Sequence, residues 1–239
     1  MNRNLGKSII DASASSLTDI TKDVTEAAID SLLQDGVVKD IPLVNLIHSV
    51  YKIGSGIRER IFINMLLKFL FELKDIPIEE RMNFISKLEN EDYKNKAGEK
   101  IMVILDKLDD SDKAPMVGRV FRACLQGKFT FNVFLRLSHV INNAFVDDIK
   151  SLGNCFTPSG ATYQLGAELA DSLNRVGLTT AKLKADPYTQ ERFKRTTGRD
   201  ATSVPYEYNV VHTLNNDALI LAREIFDFEW IEHAYHIYK

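Results

Sequence analysis

One segment, residues 57–73, constrains the fold most because it is apolar on nearly all sides. Its only polar stripe is formed at four-residue steps by Arg60, Asn64, Lys68 and Glu72. A helix with so narrow a polar stripe is stable only when other helices surround it. The apolar run is also too short and too charged for the roughly 20 apolar residues that span a bilayer. We therefore predict the central helix of a soluble helical bundle.

The same three- and four-residue spacing of apolar side chains recurs along the first two thirds of the chain. It predicts further helices over residues 16–34, 43–53, 77–89, 97–108, 114–125 and 131–149. Short connections between such helices favour an antiparallel bundle. The helix over 16–34 has an outer face of Ser, Thr and Asp. It needs a partner surface, which is either its own domain or another subunit, and we predict self-association through it.

The composition and the spacing of apolar residues change after Leu152. A linker rich in Gly, Asn and Pro is followed by a predicted helix over 161–176, a strand over 178–183, a polar loop over 184–204, a second strand over 206–214 and a final helix over 217–236. This order resembles a winged helix. The predicted fold is therefore mainly α. An N-terminal amphipathic helix (1–36) and a helical bundle (37–152) precede a small α+β winged-helix-like module (153–239).

The predicted loop and the first strand carry an excess of basic residues. The candidates for contacts with nucleic-acid phosphates are Lys182, Lys184, Arg192, Lys194, Arg195 and Arg199. Against this alternative, the preceding helix, which would enter the groove, carries Glu168 and Asp171. The net charge of -3 also favours neither nucleic acid nor membrane as a bulk partner.

No nucleophile, metal or cofactor motif is present, so we predict no catalytic, metal-binding or cofactor-binding residue and favour a protein that is not an enzyme. The two cysteines, Cys124 and Cys155, stand alone, which indicates buried thiols in a reducing, cytoplasmic compartment. The acidic residues over 106–112 fit a helix end, a turn and an N-cap better than a calcium loop. His233 and His236 fit the end of the last helix better than a zinc site.

A membrane-acting effector is a further alternative. Two apolar helices over Leu43–Leu73 meet at a Gly-Ser-Gly joint, and a trigger that unpacks them would expose apolar surface flanked by basic residues. As a constitutive property this is disfavoured, because the same helices are needed for the core of the bundle.

Part of the bundle resembles a known family. The segments are KDIPLVNLIHSVYKIGSGIRERIFINMLLKFLFEL, DIPIEERMNFISKLE, GEKIMVILDKLDD and KAPMVGRVFRACLQGKFTFNVFLRL, which cover about half of the chain. They are similar to bacterial proteins of the abortive-infection alpha type. The resemblance implies a role in bacterial defence against phage and carries over no functional residue. The leading hypothesis is a non-enzymatic defence protein that binds a protein partner or associates with itself.

Overall fold

The computed structural model describes residues 4–17, 42–51, 56–86, 91–156, 165–199 and 205–226. Over these residues the chain is mainly helical, with one two-stranded antiparallel sheet near the C-terminal end, as predicted. The helices are α1 (Asn4–Ala14), α2 (Pro42–Tyr51), α3 (Ile57–Phe71), α4 (Ile78–Ser86), α5 (Glu91–Asp106), α6 (Lys113–Leu125), α7 (Phe131–Asn143), α8 (Val146–Leu152), α9 (Ala167–Arg175), α10 (Thr189–Thr197) and α11 (Asn216–Phe226). The strands are β1 (Thr179–Ala185) and β2 (Tyr208–Leu214).

The central position predicted for α3 is confirmed from Ile63 to Leu70, whereas Ile57 and Ile61 in its first turns are exposed. Ile63, Leu66, Phe69 and Leu70 are completely buried. Its polar stripe serves contacts with neighbouring elements, because Lys68 Nζ donates to Ser111 Oγ at 3.0 Å and Glu72 accepts from Arg119 Nε at 3.1 Å.

Helix α6 packs against α3 and is buried along ten of its 13 residues. The ring of Phe121 lies 5.5 Å from that of Phe69 and 5.0 Å from that of Phe134, measured between centroids. These rings join α3, α6 and α7 in one aromatic cluster, which contributes beyond the area it buries.

The single helix predicted over 131–149 is wrong, since the chain forms α7 and α8 instead. The backbone is extended at Ala144 (φ -81°, ψ 153°) and at Phe145 (φ -69°, ψ 139°). Asn142 and Asn143 have weak helix propensity. Asp147 and Asp148 then occupy the first turn of α8, where the helix dipole favours carboxylates.

Helix α1 was not predicted from the sequence. It packs against α2 and α5 and buries Ile9, Ile10 and Ala12. The helix predicted over 16–34 lies outside the described residues from Thr18 onward, and Leu17 is buried in the core.

Of the three charged side chains that are buried in the described residues, Arg81 and Lys113 are the two basic ones, and the third is Glu224. Arg81 is 2 % exposed and donates to the carbonyl oxygen of Ser13 at 2.9 Å, and burial lowers the pKa of its guanidinium. Lys113 is 1 % exposed, lies 2.6 Å from Asp109 Oδ1 and donates to Asn142 O at 2.9 Å. The hydrogen bond from Lys113 lowers the pKa of Asp109.

The acidic segment over 106–112 has the structural role predicted for it. It connects the end of α5 to the start of α6, and Asp112 occupies the N-cap position, although its side chain makes no capping hydrogen bond there. The Asp112 carboxylate pairs with Lys150 at 3.0 Å, and Asp106 pairs with Arg58 at 3.1 Å. These carboxylates therefore connect helices.

The last described helix, α11, packs on α6 and α8. Lys128 pairs with Glu224 at 2.9 Å, and Arg136 pairs with Asp217 at 2.6 Å. The hydrophobic cluster contains side chains from all three segments into which the sequence was divided, 1–36, 37–152 and 153–239. The domain boundaries at residues 36 and 152 stay a prediction. The predicted end of the final helix, with His233 and His236, lies outside the described residues.

The contact between α1 and α5 generates a stability prediction. A methyl carbon at Gly98 would lie 1.8 Å from the carbonyl oxygen of Gly6, so Gly98→Ala forces the two helices apart. We expect this substitution to lower the free energy of unfolding by about 3 kcal/mol, measured by urea denaturation and circular dichroism. Gly166→Ala is the control, since a methyl carbon there meets nothing within 4 Å. Equal unfolding midpoints for both variants would contradict the close approach.

Candidate functional site

The two strands form an antiparallel ribbon that runs from the body into solvent. β2 contains one Tyr, two Val and one Thr, and β1 begins with two Thr, which are residue types that favour strands. Cross-strand pairing runs from Thr179 opposite Leu214 at the base to Ala185 opposite Tyr208 at the outer end. Within the described residues neither strand pairs with a third one, so each has an edge without a described partner strand.

The base of the ribbon is anchored to the body. Gly177 adopts φ +80° after α9, and Leu178 N donates to Leu173 O at 2.8 Å. Both leucines are completely buried. Asn215, directly after β2, donates through Nδ2 to Gly177 O at 2.6 Å and through its backbone N–H to Leu178 O at 3.0 Å. The inner ends of both strands are thereby held together.

A polar cluster fixes the first ribbon pairs against α9. Thr179 Oγ1 lies 3.1 Å from Asn174 Oδ1, to which it donates, and 3.2 Å from His212 Nδ1. His212 Nε2 lies 3.5 Å from Asp171 Oδ1, an ion pair only when the imidazole is protonated. These contacts orient the ribbon relative to α9.

The outer half of one ribbon face is apolar and exposed. Side chains directly opposite each other share a face, which groups Leu183 with Val210 and Ala185 with Tyr208. Leu183 is 73 % exposed, Val210 is 58 % exposed and Tyr208 is 61 % exposed. We call these four residues the apolar face. The sequence indicates this face through the alternation of apolar and polar residues along the two strands.

The opposite face of the ribbon is polar and basic. It consists of Thr180, Lys182, Lys184, Asn209, Val211 and Thr213, and it contains no carboxylate. We call these residues the basic face. It includes two of the six basic residues predicted from the sequence.

A polar loop was predicted over 184–204. This prediction is wrong in the middle of the range, where the chain forms α10. Asp186 Oδ1 accepts from Tyr188 N at 2.9 Å, so the chain turns directly into the helix. Gly198 ends the helix at φ +68°, with its N–H bonded to Lys194 O at 2.9 Å. Asp186-Pro187 before the helix and Gly198 after it are start and stop signals that the sequence contains.

The other four predicted basic residues lie on or beside α10. Arg192 bridges two carboxylates, Asp186 Oδ2 and Glu207 Oε2, both at 2.7 Å, and so connects the ends of both strands to α10. Lys194, Arg195 and Arg199 are exposed. Arg192 is thus committed to the fold of the ribbon.

The thiols and candidate metal ligands have structural surroundings. Both cysteines are free and buried. Burial raises the pKa of Cys124 to about 12 and also raises the pKa of Cys155. Among the described residues no group of three His, Cys, Asp or Glu side chains is placed to hold a metal ion.

The apolar helices predicted as a membrane-acting element are α2 and α3. Their buried side chains, among them Leu46, Ile47 and Leu66, belong to the main core cluster. No helix in the described ranges is both long and apolar enough to cross a bilayer.

Comparison of the chain with protein-family models, with curated proteins and with solved structures finds no match. The resemblance to abortive-infection alpha-type proteins therefore stays a prediction from the sequence.

The burial of the thiols generates a second prediction. In a Cys155→Ser variant, Cys124 is the only thiol. Because its pKa is raised to about 12, the reactive thiolate is scarce at pH 8. We expect a thiol reagent such as iodoacetamide to leave Cys124 unmodified in the folded chain and to modify it fully in urea, as measured by mass spectrometry. Modification of the folded chain at the rate of a free thiol would show that the site is open.

Proposed function

We propose that the protein is a non-enzymatic bacterial defence protein that acts by binding a protein partner through the apolar face of the ribbon. The observation that carries this proposal is the exposure of the directly paired Leu183 and Val210, at 73 % and 58 %. Apolar side chains grouped on an exposed surface mark interaction sites more often than scattered ones do.

The chemistry of the apolar face suits a protein partner. Fully burying a Leu or Val side chain contributes about 1.5–3 kcal/mol. Tyr208 adds a ring whose hydroxyl can pair at the rim, and tyrosine is enriched at interface hot spots. The open strand edges add backbone donors and acceptors, to which an extended segment of a partner can pair.

The base of the ribbon is bonded to the body, and at its outer end Arg192 joins the two strands to α10. Such preorganisation lowers the entropy that binding costs. The defence context of the proposal, and the cytoplasmic location, rest on the sequence resemblance and on the cysteine pattern.

A pair of double variants tests the proposal. Leu183→Thr with Val210→Thr removes the apolar face while keeping strand-forming residues. Lys182→Thr with Lys184→Thr makes the same kind of change on the opposite face. We expect affinity capture from phage-challenged bacteria to recover a partner with the wild type and the lysine variant, and at least tenfold less with the apolar variant.

The same variants are compared in a phage-challenge assay. Expression of the wild type is expected to reduce plaque numbers, and the apolar variant is expected to lose this protection. Equal partner recovery by all three proteins would assign binding to another surface. Absence of protection by the wild type would remove the defence context.

The basic face favours a second candidate function, which is binding of nucleic acid by a winged-helix-like module. A two-stranded ribbon fits the major groove of DNA. Lys182, Lys184 and Asn209 share a face without a carboxylate, which supports this candidate. Since α9 carries Glu168 and Asp171, the ribbon rather than α9 would make the contacts.

Fluorescence anisotropy with duplex DNA at 50 and 200 mM salt tests this second candidate. Phosphate contacts predict binding that weakens steeply with salt. It should be lost in Lys182→Thr with Lys184→Thr and kept in Leu183→Thr with Val210→Thr. No binding at 50 mM salt would exclude it.

A further inference from the structure

A groove of about 890 Å³ lies between α5 and α7, on a different part of the molecule from the ribbon. Its apolar lining is provided by Ala97, Val103, Ile104, Phe131 and Leu135. Val103, one of these lining residues, is 38 % exposed. An apolar groove between two helices is a common seat for the apolar side of a third helix. We call this site the lysine groove, after the residues described next.

Three lysines line the α5 side of the groove. Lys96, Lys100 and Lys107 follow each other at steps of four and seven residues, so they share one side of α5 over about 16 Å. All three are exposed, and none forms an ion pair with another described residue. Of the described residues that line the groove, Glu99 is the only one with a carboxylate. The groove therefore suits an elongated ligand with an apolar side and an acidic flank.

The α7 side of the groove adds Phe131 and Leu135 to the apolar lining, together with the polar side chains of His139, Asn142 and Asn143. The groove thus combines an apolar lining with a linear series of cations along one side.

The sequence of the chain contains a segment of matching chemistry. Residues 18–34 have four carboxylates and one lysine, a net charge of -3. The carboxylates are at positions 19, 23, 26 and 30. Positions 19, 23 and 30 repeat the lysine steps of four and then seven, and positions 19, 26 and 30 repeat them in reverse order. The segment can therefore match the lysines in either chain direction. Next to each of the first three stands an apolar residue, Ile20, Val24 or Ala27. The acidic and apolar positions are therefore adjacent, as the lysines and the apolar lining are in the groove.

We propose that the lysine groove binds residues 18–34 of a second copy of this chain. Each copy supplies one segment and one groove, so the contact occurs twice about a two-fold axis, as in most homodimers. The proposal gives the self-association expected from the sequence a receptor surface. It concerns a different surface from the partner-binding ribbon and does not depend on it.

Charge reversal of the full-length chain tests the proposal by sedimentation velocity. The groove variant carries Lys96→Glu, Lys100→Glu and Lys107→Glu, and the segment variant carries Asp19→Lys, Asp23→Lys and Asp30→Lys. We expect the wild type to be a dimer and each variant alone to dimerise at least roughly tenfold more weakly, as reversal of several ion pairs predicts.

An equimolar mixture of the two variants gives the sharpest result. In a mixed pair, the native segment meets the native groove and the reversed segment meets the reversed groove. Both contacts are then complementary, so the mixture should form a heterodimer of wild-type strength. A variant that failed to fold, or a segment that bound only its own groove, would not be rescued by mixing.

A triple variant outside the groove is the matched control. Lys182→Glu, Lys184→Glu and Lys194→Glu make the same change in charge at exposed positions and should leave the dimer intact. A wild type that stays monomeric at all concentrations, or a mixture without heterodimer, would overturn the proposal. Leu183→Thr with Val210→Thr should keep the dimer, so failure of the ribbon proposal is distinguishable from failure of this one.

Discussion

Gly118 brings the backbone of α6 so close to α3 that a methyl carbon at this position would lie 2.7 Å from the carbonyl oxygen of Phe69. This approach puts Phe69 and Phe121 in contact and leaves the other sides of α6 for α4, α7 and α11. Because α11 follows the ribbon directly in the chain, the packing of α6 also fixes where the ribbon leaves the body. A change at this contact would therefore also affect the position of the ribbon.

The ribbon shows how a small element can be rigid at its base and exposed at its tip. Leu173 and Leu178 tie it to the hydrophobic cluster, while Leu183 and Val210 extend beyond it. Two isolated strands are marginal in water. The bonds to α9 and the bridge made by Arg192 supply order that the strands alone lack. Apolar packing and polar contacts at the base hold the element in place, and Leu183 and Val210 take no part in that packing, so they stay available for binding.

The sequence predicted those parts of the fold in which local pattern and burial agree. The polar stripe of α3 is so narrow that the helix must be surrounded by other helices, and its central position could therefore be predicted. Helix α1 escaped prediction because its packing depends on the contact between Gly6 and Gly98, which are distant in sequence. Helix α10 escaped because its charged composition resembles a loop, and the two carboxylates that Arg192 bridges meet only when the strands pair. Likewise, the spacing of the groove lysines is visible in the sequence, but the groove requires α7 alongside α5.

The two surfaces have a joint consequence for binding strength. A two-fold dimer formed through the lysine groove would carry two ribbons, each with its own apolar face. A partner with two copies of its binding segment, or a partner that is itself a dimer, could then be held at both ribbons. The second contact would form at the high effective concentration set by the first, which raises the overall affinity without any new contact. Weak binding by a single apolar face of four residues would in this way become specific for an assembled partner. The groove variants separate the two contributions, because they abolish the second contact while leaving each ribbon unchanged.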